Sequence, residues 1–200
     1  GTNSVSCMPA WGARTTRSGN NPFVMAVPRA RGPIVLDMAM SQYSCGKLQV
    51  TRLENEKLPF PGGYDIEGNL TDDPGPIEAS MRILPAGYWK GSGLAIVLDA
   101  MAALLSAGSP THEIDKIGKG SCTGASQIFM VFDPTQLGGT EFTEHMADRV
   151  ADYVNQSEPA ENSRDVRYPG QTAAANREEN RRLGIPADEA VWDHVMRLAQ

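Results

Sequence analysis

Hydrophobic and polar positions alternate in character along this chain. Residues 94–105 are apolar throughout except for Asp99. They show neither strict alternation nor a single stripe, and a helix apolar on nearly every side is expected to be buried on every side. The run is long for a strand and short for a membrane span. Ser92 stands where it can cap such a helix, and Gly108 where it can end it in a left-handed conformation. Just before, Trp89, Lys90, Gly91 and Gly93 bring an aromatic face, a cation and two small residues to the positive end of the helix. That corner reads as an anion or nucleotide site, or as a tight turn feeding a core helix.

Upstream, Val5 and Cys7 fall on one face of a short expected strand. Residues 23–27 form an apolar run stopped by Pro28, and residues 34–40 form a second one after a turn at 29–33, so the two are expected to pair as a hairpin. Asp37 lies inside the second run, either as a ligand-facing carboxylate or as a cap on nearby amides. Residues 41–46 start a helix or a loop. Residues 54–76 are rich in Pro, Gly, Asn and Asp and read as a long loop of the kind used for lids and binding. Its acids Asp65, Glu67, Asp72 and Asp73 lack the spacing of a calcium loop and are read as turn formers. Residues 109–124 read as another polar connection, with His112 at the surface. Residues 127–132, QIFMVF, are expected as a strand ended by Asp133-Pro134.

From Thr140 the period becomes helical, with Phe142, Met146, Val150 and Val154 recurring every fourth residue and Thr140 as a candidate cap. A linker at 157–170 leads to a second helix at 171–183, stopped by Gly184. A third opens at Pro186 with Val191, Val195 and Leu198 on one side. The last sixty or so residues are therefore helical beside a β-containing body, which makes the class α/β.

The formal charge of -6 disfavours nucleic acid, whose backbone calls for clustered Lys and Arg. Cys7, Cys45 and Cys122 are an odd count at wide spacing, so neither a disulfide framework nor a zinc site is expected, and a reducing cytoplasm is the expected compartment. No signal-peptide pattern is present. There is no GxGxxG after an expected strand, since Gly91-Ser92-Gly93 is too short, and no phosphate loop, HExxH or serine elbow. His112, His145 and His194 have no ligand or acid–base partner at helical spacing. No metal site is expected.

Several stretches together carry a resemblance: TNSVSCMPAWGA (2–13), GNNP (19–22), DMAMSQYSCGKL (37–48) and LPFPGGYDIEGNLTDDPG (58–75). With them go ILPAGYWKGSGLAIVLDAMAALLSAG (83–108), GASQIFMVFD (124–133), RYPGQ (167–171) and NREENRRLGIPADEAVW (176–192). The chain resembles the malate/L-lactate dehydrogenase family that lacks a Rossmann fold, and within it the diketogulonate reductase branch ahead of the malate, lactate, ureidoglycolate and sulfolactate branches. The resemblance implies an α/β fold with a mainly antiparallel, mixed sheet flanked by helices. It implies an NAD(H)-dependent reductase of 2-oxo acids, working as a homodimer, with no nucleic acid and no membrane involved. The implied domains are 1–135, most of the NAD-binding domain with the loop 54–76 and the buried helix 92–107, and 136–200, a helical segment packing with an N-terminal helical domain.

The family's cofactor contacts carry over to Pro33, Ile34, Val35, Leu36, Asp37, Met38 and Ala39, to Trp89 and Lys90, and to Pro169, Gly170 and Gln171. Gln171 stands where Glu or His is frequent, and Asn20 where Thr is common. The family's proton donor is a histidine in a segment before the residue aligned with Gly1, and none of the three histidines here matches it. No catalytic residue is therefore expected within these residues, and the chain is expected to be a fragment holding the cofactor pocket without its acid. Two other readings remain: a module binding another anionic metabolite, and a subunit that only dimerises.

Overall fold

A computed structural model describes residues 1–120, 123–161 and 165–199. Cys122, counted above, lies outside them. In chain order the elements are β1 (Met8–Pro9), β2 (Thr16–Ser18), β3 (Phe23–Val27), β4 (Ile34–Met38), α1 (Cys45–Leu53), β5 (Gly63–Tyr64), β6 (Leu70–Thr71), α2 (Pro74–Ser80), α3 (Trp89–Ser106), α4 (Thr111–Ile117), α5 (Thr135–Asn155), α6 (Gln171–Leu183) and α7 (Glu189–Leu198). The fold is α/β, and its strands pair in twos: β1 with β2 and β5 with β6, both antiparallel, and β3 with β4. Two compact units divide the chain, Gly1–Met25 with Asp37–Phe132 and Ala26–Leu36 with Asp133–Gln200.

The core of the first unit gathers Cys7, Met8, Met40, Leu48, Leu58, Ile77, Ile83, Ala95 and Leu98. Caps explain where its short helices start. Ser44 accepts from Lys47 N to open α1, and Asp73 accepts from Gly75 N to open α2, whose first residue is proline. The stretch 54–76 is thus not a bare loop, because it holds the β5–β6 hairpin and the start of α2. Asp65 closes the hairpin turn by accepting from the amides of Gly68 and Asn69, each at 2.7 Å, and Lys57 pairs with Asp72 at 3.5 Å. Asp65 is thus a turn former, as read from the sequence, whereas Asp73 is a helix cap and Asp72 an ion-pair partner. The connection 109–124 also holds a helix, α4, which buries Thr111 and Ile114.

Helix α3 departs from its expected form. It begins at Trp89, before the anticipated cap, and Ser92 is buried within it with its hydroxyl accepting from Trp11 N at 2.9 Å. Ala107, at φ 50°, is the left-handed C-cap in place of Gly108. Gly108 serves instead for close approach, since a Cβ there would collide with the Ser126 hydroxyl. Gly91, Ser92, Ala95, Leu98 and Ala102 form one buried stripe, while Leu94, Ile96, Val97, Leu104 and Leu105 are exposed. Burial on all sides is therefore not what these 200 residues provide. At 18 residues the whole helix is long and apolar enough to cross a membrane by length and composition alone, although its apolar run is shorter. Its buried stripe packs in the core of this unit.

The expected strand at 127–132 does not form. Gln127 bridges Thr2 in antiparallel sense, and Gly1 and Ile128 exchange bonds at 2.9 and 3.0 Å. Beyond Ile128 the backbone has no ladder partner among the described residues, leaving Phe129 85% and Val131 94% exposed. High strand propensity without a partner makes no strand.

In the second unit, α5 begins at Thr135 and is kinked at Gly139 (φ 78°, ψ 168°) before the helix expected from Thr140. Ala147 and Ala151 are its buried residues, while Phe142 and Val150 are more than half exposed. Helix α6 spans the expected 171–183 and stops at Gly184 (φ 96°). Helix α7 starts at Glu189 because Asp188 caps it by accepting from Val191 N, three residues beyond the expected opening at Pro186.

Candidate functional site

In the second unit, the turn between β3 and β4 is held by a buried arginine. Arg29 donates from Nε to Gly32 O (2.8 Å), from Nη1 to Asp148 (3.1 Å) and from Nη2 to the Tyr168 hydroxyl (2.6 Å). Its guanidinium also lies 4.9 Å from the centre of the Tyr168 ring. Ala30 N donates to Glu144 on α5 at 2.7 Å. With charge, fork geometry and ring face all used, Arg29 fixes Tyr168 against the turn. The residue after Tyr168 then meets β4, as Val35 N donates to Pro169 O at 3.0 Å. Gly170, at φ 90°, follows. A Cβ there would come within 3.0 to 3.2 Å of Val35, so only glycine lets the bend lie this close to the strand. Gln171 opens α6, accepts from Tyr168 N at 3.2 Å, and helps line a cleft of about 460 Å³ with Asn155, Asp165 and Arg167. Pro33, Ile34, Val35 and Leu36 are thereby brought together with Pro169, Gly170 and Gln171.

In the first unit, β4 runs on to Met40, whose carbonyl accepts from Ala86 N at 2.8 Å. Gln42 N donates to Leu84 O at 2.7 Å, and Ser41 bridges Pro85. The chain then turns through Gly87 (φ 58°) and Tyr88 (φ 60°, ψ -111°) into α3. A positive φ at a tyrosine is a strained conformation, of order 1–3 kcal/mol, that the packing around it must impose. Gly91 makes that packing possible. A Cβ on it would lie 2.7 Å from Met40 O and would also strike the Ala86 backbone. Trp89 and Lys90 are thus set on the outside of a tight turn bolted to the continuation of β4. Trp89 is 64% exposed, and Lys90 Nζ stands 6.0 Å from its ring centre.

The helix start is less of an anion cradle than expected. Amides 88, 90, 91 and 92 already donate to the carbonyls of Pro85, Gly87, Ala86 and Tyr88. An open π-face and a cation remain on offer there. Met38 and Ala39 are half-buried, and Asp37 is exposed with no hydrogen bond to its carboxylate among the described residues, so it caps no amide. His112, His145 and His194 are all exposed, on α4, α5 and α7. Among the described residues no three of His, Cys, Asp and Glu cluster in a way that would hold a metal ion. Cys7 is buried, and burial pushes its thiol from 9.0 up to about 12, far from a reactive thiolate.

The Arg29–Asp148–Tyr168 constellation was not anticipated from the sequence. Its members are far apart in the chain and carry no local motif. The same holds for Asn3, Asn21 and Asp99, the polar groups that tie α3 to the chain start. Asn21 receives Ser4 N on Oδ1 (3.1 Å) and donates to Ala95 O (2.8 Å).

Within the first unit, the Trp89 ring and the Lys90 charge suit a flat, anionic group. Within the second, the Gly170 bend offers a close backbone approach beside β4. The family model described as malate/L-lactate dehydrogenase matches residues 1–196. The chain is 43% identical over 198 residues to 2,3-diketo-L-gulonate reductase of Citrobacter koseri, and 44% identical over 198 residues to that of Klebsiella pneumoniae. Each match covers 98% of this chain and 59% of the relative, so the chain spans less than two thirds of their length. Among solved structures it is similar to delta1-piperideine-2-carboxylate reductase from Pseudomonas syringae (TM-score 0.75, 29% identity, 98% of this chain and 58% of that one). Malate dehydrogenase from Pyrococcus horikoshii shares the fold (TM-score 0.84, 22% identity, 99% and 55%).

Proposed function

We propose, since the chain belongs to the malate/L-lactate dehydrogenase family, that it carries the cofactor-binding part of an NAD(H)-dependent oxidoreductase reducing a 2-oxo acid to a 2-hydroxy acid. The substrate we propose is of the 2,3-diketo-L-gulonate type, after the relatives named above. The observation that carries this reading concerns β4. Within one unit it meets the Pro169–Gly170 bend, and within the other its continuation meets the turn bearing Trp89 and Lys90. Those are the three stretches assigned to the cofactor by resemblance.

A nicotinamide dinucleotide, when bound, supplies the hydride. The residues of this chain bind and orient. Backbone groups from Pro33 to Ala39 offer donors and acceptors, Trp89 a stacking face, Lys90 a charge for a phosphate, and Pro169, Gly170 and Gln171 a close backbone approach. The exposed histidines 112, 145 and 194 are not the proton donor. In this proposal that group belongs to the part of the longer relatives that these residues do not cover. A homodimer in the cytoplasm completes the reading.

The test is a fluorescence titration of the purified chain with NADH and, separately, NADPH at fixed ionic strength. Lys90→Ala and Trp89→Ala should each weaken NADH binding about tenfold, the effect of losing one charge-assisted or stacking contact of roughly 1.4 kcal/mol. Unchanged affinity in both variants would remove the assignment of this turn.

A further inference from the structure

A second cavity, of about 240 Å³, lies in the first unit between the loop after β1 and the β5–β6 hairpin, lined by Trp11, Arg14, Tyr64, Gly68 and Arg82. Two guanidinium groups face it. The point where a Cβ of Gly68 would sit is 3.4 Å from Arg14 Nη2 and 3.8 Å from Arg82 Nη1. Gly68 has φ 98° and closes the turn from Asp65, so a glycine there both forms the turn and leaves the space open.

Arg82 is pinned, its Nη2 donating to the carbonyls of Asp65 (2.5 Å) and Ile66 (2.6 Å), which leaves Nη1 directed at the cavity. Among the described residues Arg14 has no side-chain hydrogen bond, and neither arginine is in an ion pair. Asp65, on the same turn, is already engaged: it receives Gly68 N, Asn69 N and Asn69 Nδ2 (3.0 Å), and bonds from Asn69 above all hold its carboxyl below the usual range. Two like charges facing one small space without a counter-charge repel. An oxyanion between them would turn that repulsion into paired, charge-assisted hydrogen bonds. The wall is fixed, since Trp11 N donates to Ser92 Oγ and the Trp11 ring packs 5.3 Å from that of Tyr88.

We propose that this cavity binds a small anion bearing a carboxylate or phosphate group, held jointly by Arg14 and Arg82 beside the Trp11 and Tyr64 rings. Its volume is below the ~300–1,000 Å³ of pockets for drug-sized ligands, which favours a small ligand. The inference does not depend on the redox reading, and its test uses no nicotinamide cofactor.

The experiment is calorimetric titration of the full chain with inorganic phosphate and, separately, with malonate, ionic strength being held constant with potassium chloride. Saturable binding of one or both is expected, and the one that saturates at lower concentration identifies the preferred group. Arg14→Gln should weaken binding tenfold or more, and Arg14→Lys should restore part of it. Because Arg14 is exposed and its side chain makes no hydrogen bond or ion pair among the described residues, both variants should melt with the wild type, which circular dichroism checks. Absence of saturable heat with both anions would overturn the proposal, as would equal affinity in wild type and Arg14→Gln.

Discussion

Asp99 sits at the middle of the most apolar run in the chain, and its place there is explained by two donors. Its Oδ1 accepts from Asn3 Nδ2 and from Thr111 N, both at 2.8 Å, joining α3 to the chain start and to the first residue of α4. Asp99→Ala should cost about 2 kcal/mol, since it leaves the Thr111 amide without its acceptor, while Asp99→Asn keeps an oxygen in place and should cost less than half as much. Urea unfolding of the two variants measures the contrast, and equal losses would refute it. Cys7 offers a pH test at the same scale. Its folded pKa, raised by burial to about 12, exceeds the 9.0 of an unfolded thiol. The buried thiol's contribution is fully present below pH 9 and is lost as pH rises toward 12, because only the unfolded chain ionises there. Wild type should lose about 1.4 kcal/mol more stability than Cys7→Ala between pH 8 and pH 10. Parallel urea titrations of both proteins at the two pH values decide it.

Two glycines two positions apart in α3 separate the roles of an element's start. A Cβ at Gly91 would meet backbone atoms of Ala86 and Met40, whereas a Cβ at Gly93 meets nothing within 4 Å. Gly93→Ala should therefore stabilise the helix by about 0.5–1 kcal/mol, and Gly91→Ala should destabilise by about 1–3 kcal/mol through forced displacement of backbone. If Trp89 and Lys90 hold the cofactor, only Gly91→Ala also weakens NADH binding. Denaturant midpoints and the fluorescence titration check the pair together. At the same scale, elements that end on a local signal are legible in the sequence and elements fixed by distant partners are not. Helix α6 and strand β3 were read to the residue, because a glycine or a proline stops each of them. The start of α3 was misplaced because Ser92 looks like a cap, and nothing local reveals that its hydroxyl serves the distant Trp11 amide. Helix α4 was missed because its buried face is only Thr111 and Ile114. Apolar content alone had promised a strand at 127–132, but pairing is a property of two segments. For the candidate site, the proposed contact residues come from resemblance. Physical reading of the residues supplied only the Trp89–Lys90 corner, and the Arg29 anchor lay beyond both because Asp148 and Tyr168 are more than a hundred residues away in sequence.

At the scale of the whole molecule, the notable quantity is apolar surface left in water. Leu104 and Leu105 on α3 are 79% and 64% exposed, Phe129, Val131 and Phe132 are each more than 80% exposed, and Phe142 and Val150 on α5 are over half exposed. Single exposed apolar side chains are ordinary, but contiguous runs mark surfaces that meet something else. The consequence can be measured on the chain itself. Phe129→Thr combined with Val131→Thr should leave the urea midpoint within about 0.5 kcal/mol of wild type, because neither side chain is packed here. The same double variant should lower the fluorescence of a bound hydrophobic dye such as ANS, because it removes part of the exposed patch. A loss above about 2 kcal/mol would mean that 129–132 is buried in the chain in solution, since losses of that size arise from cavities in packed interiors. Unchanged dye binding with unchanged stability would mean instead that the sticky surface lies elsewhere, on the outer face of α3, where Leu104→Lys is the variant that should then reduce it.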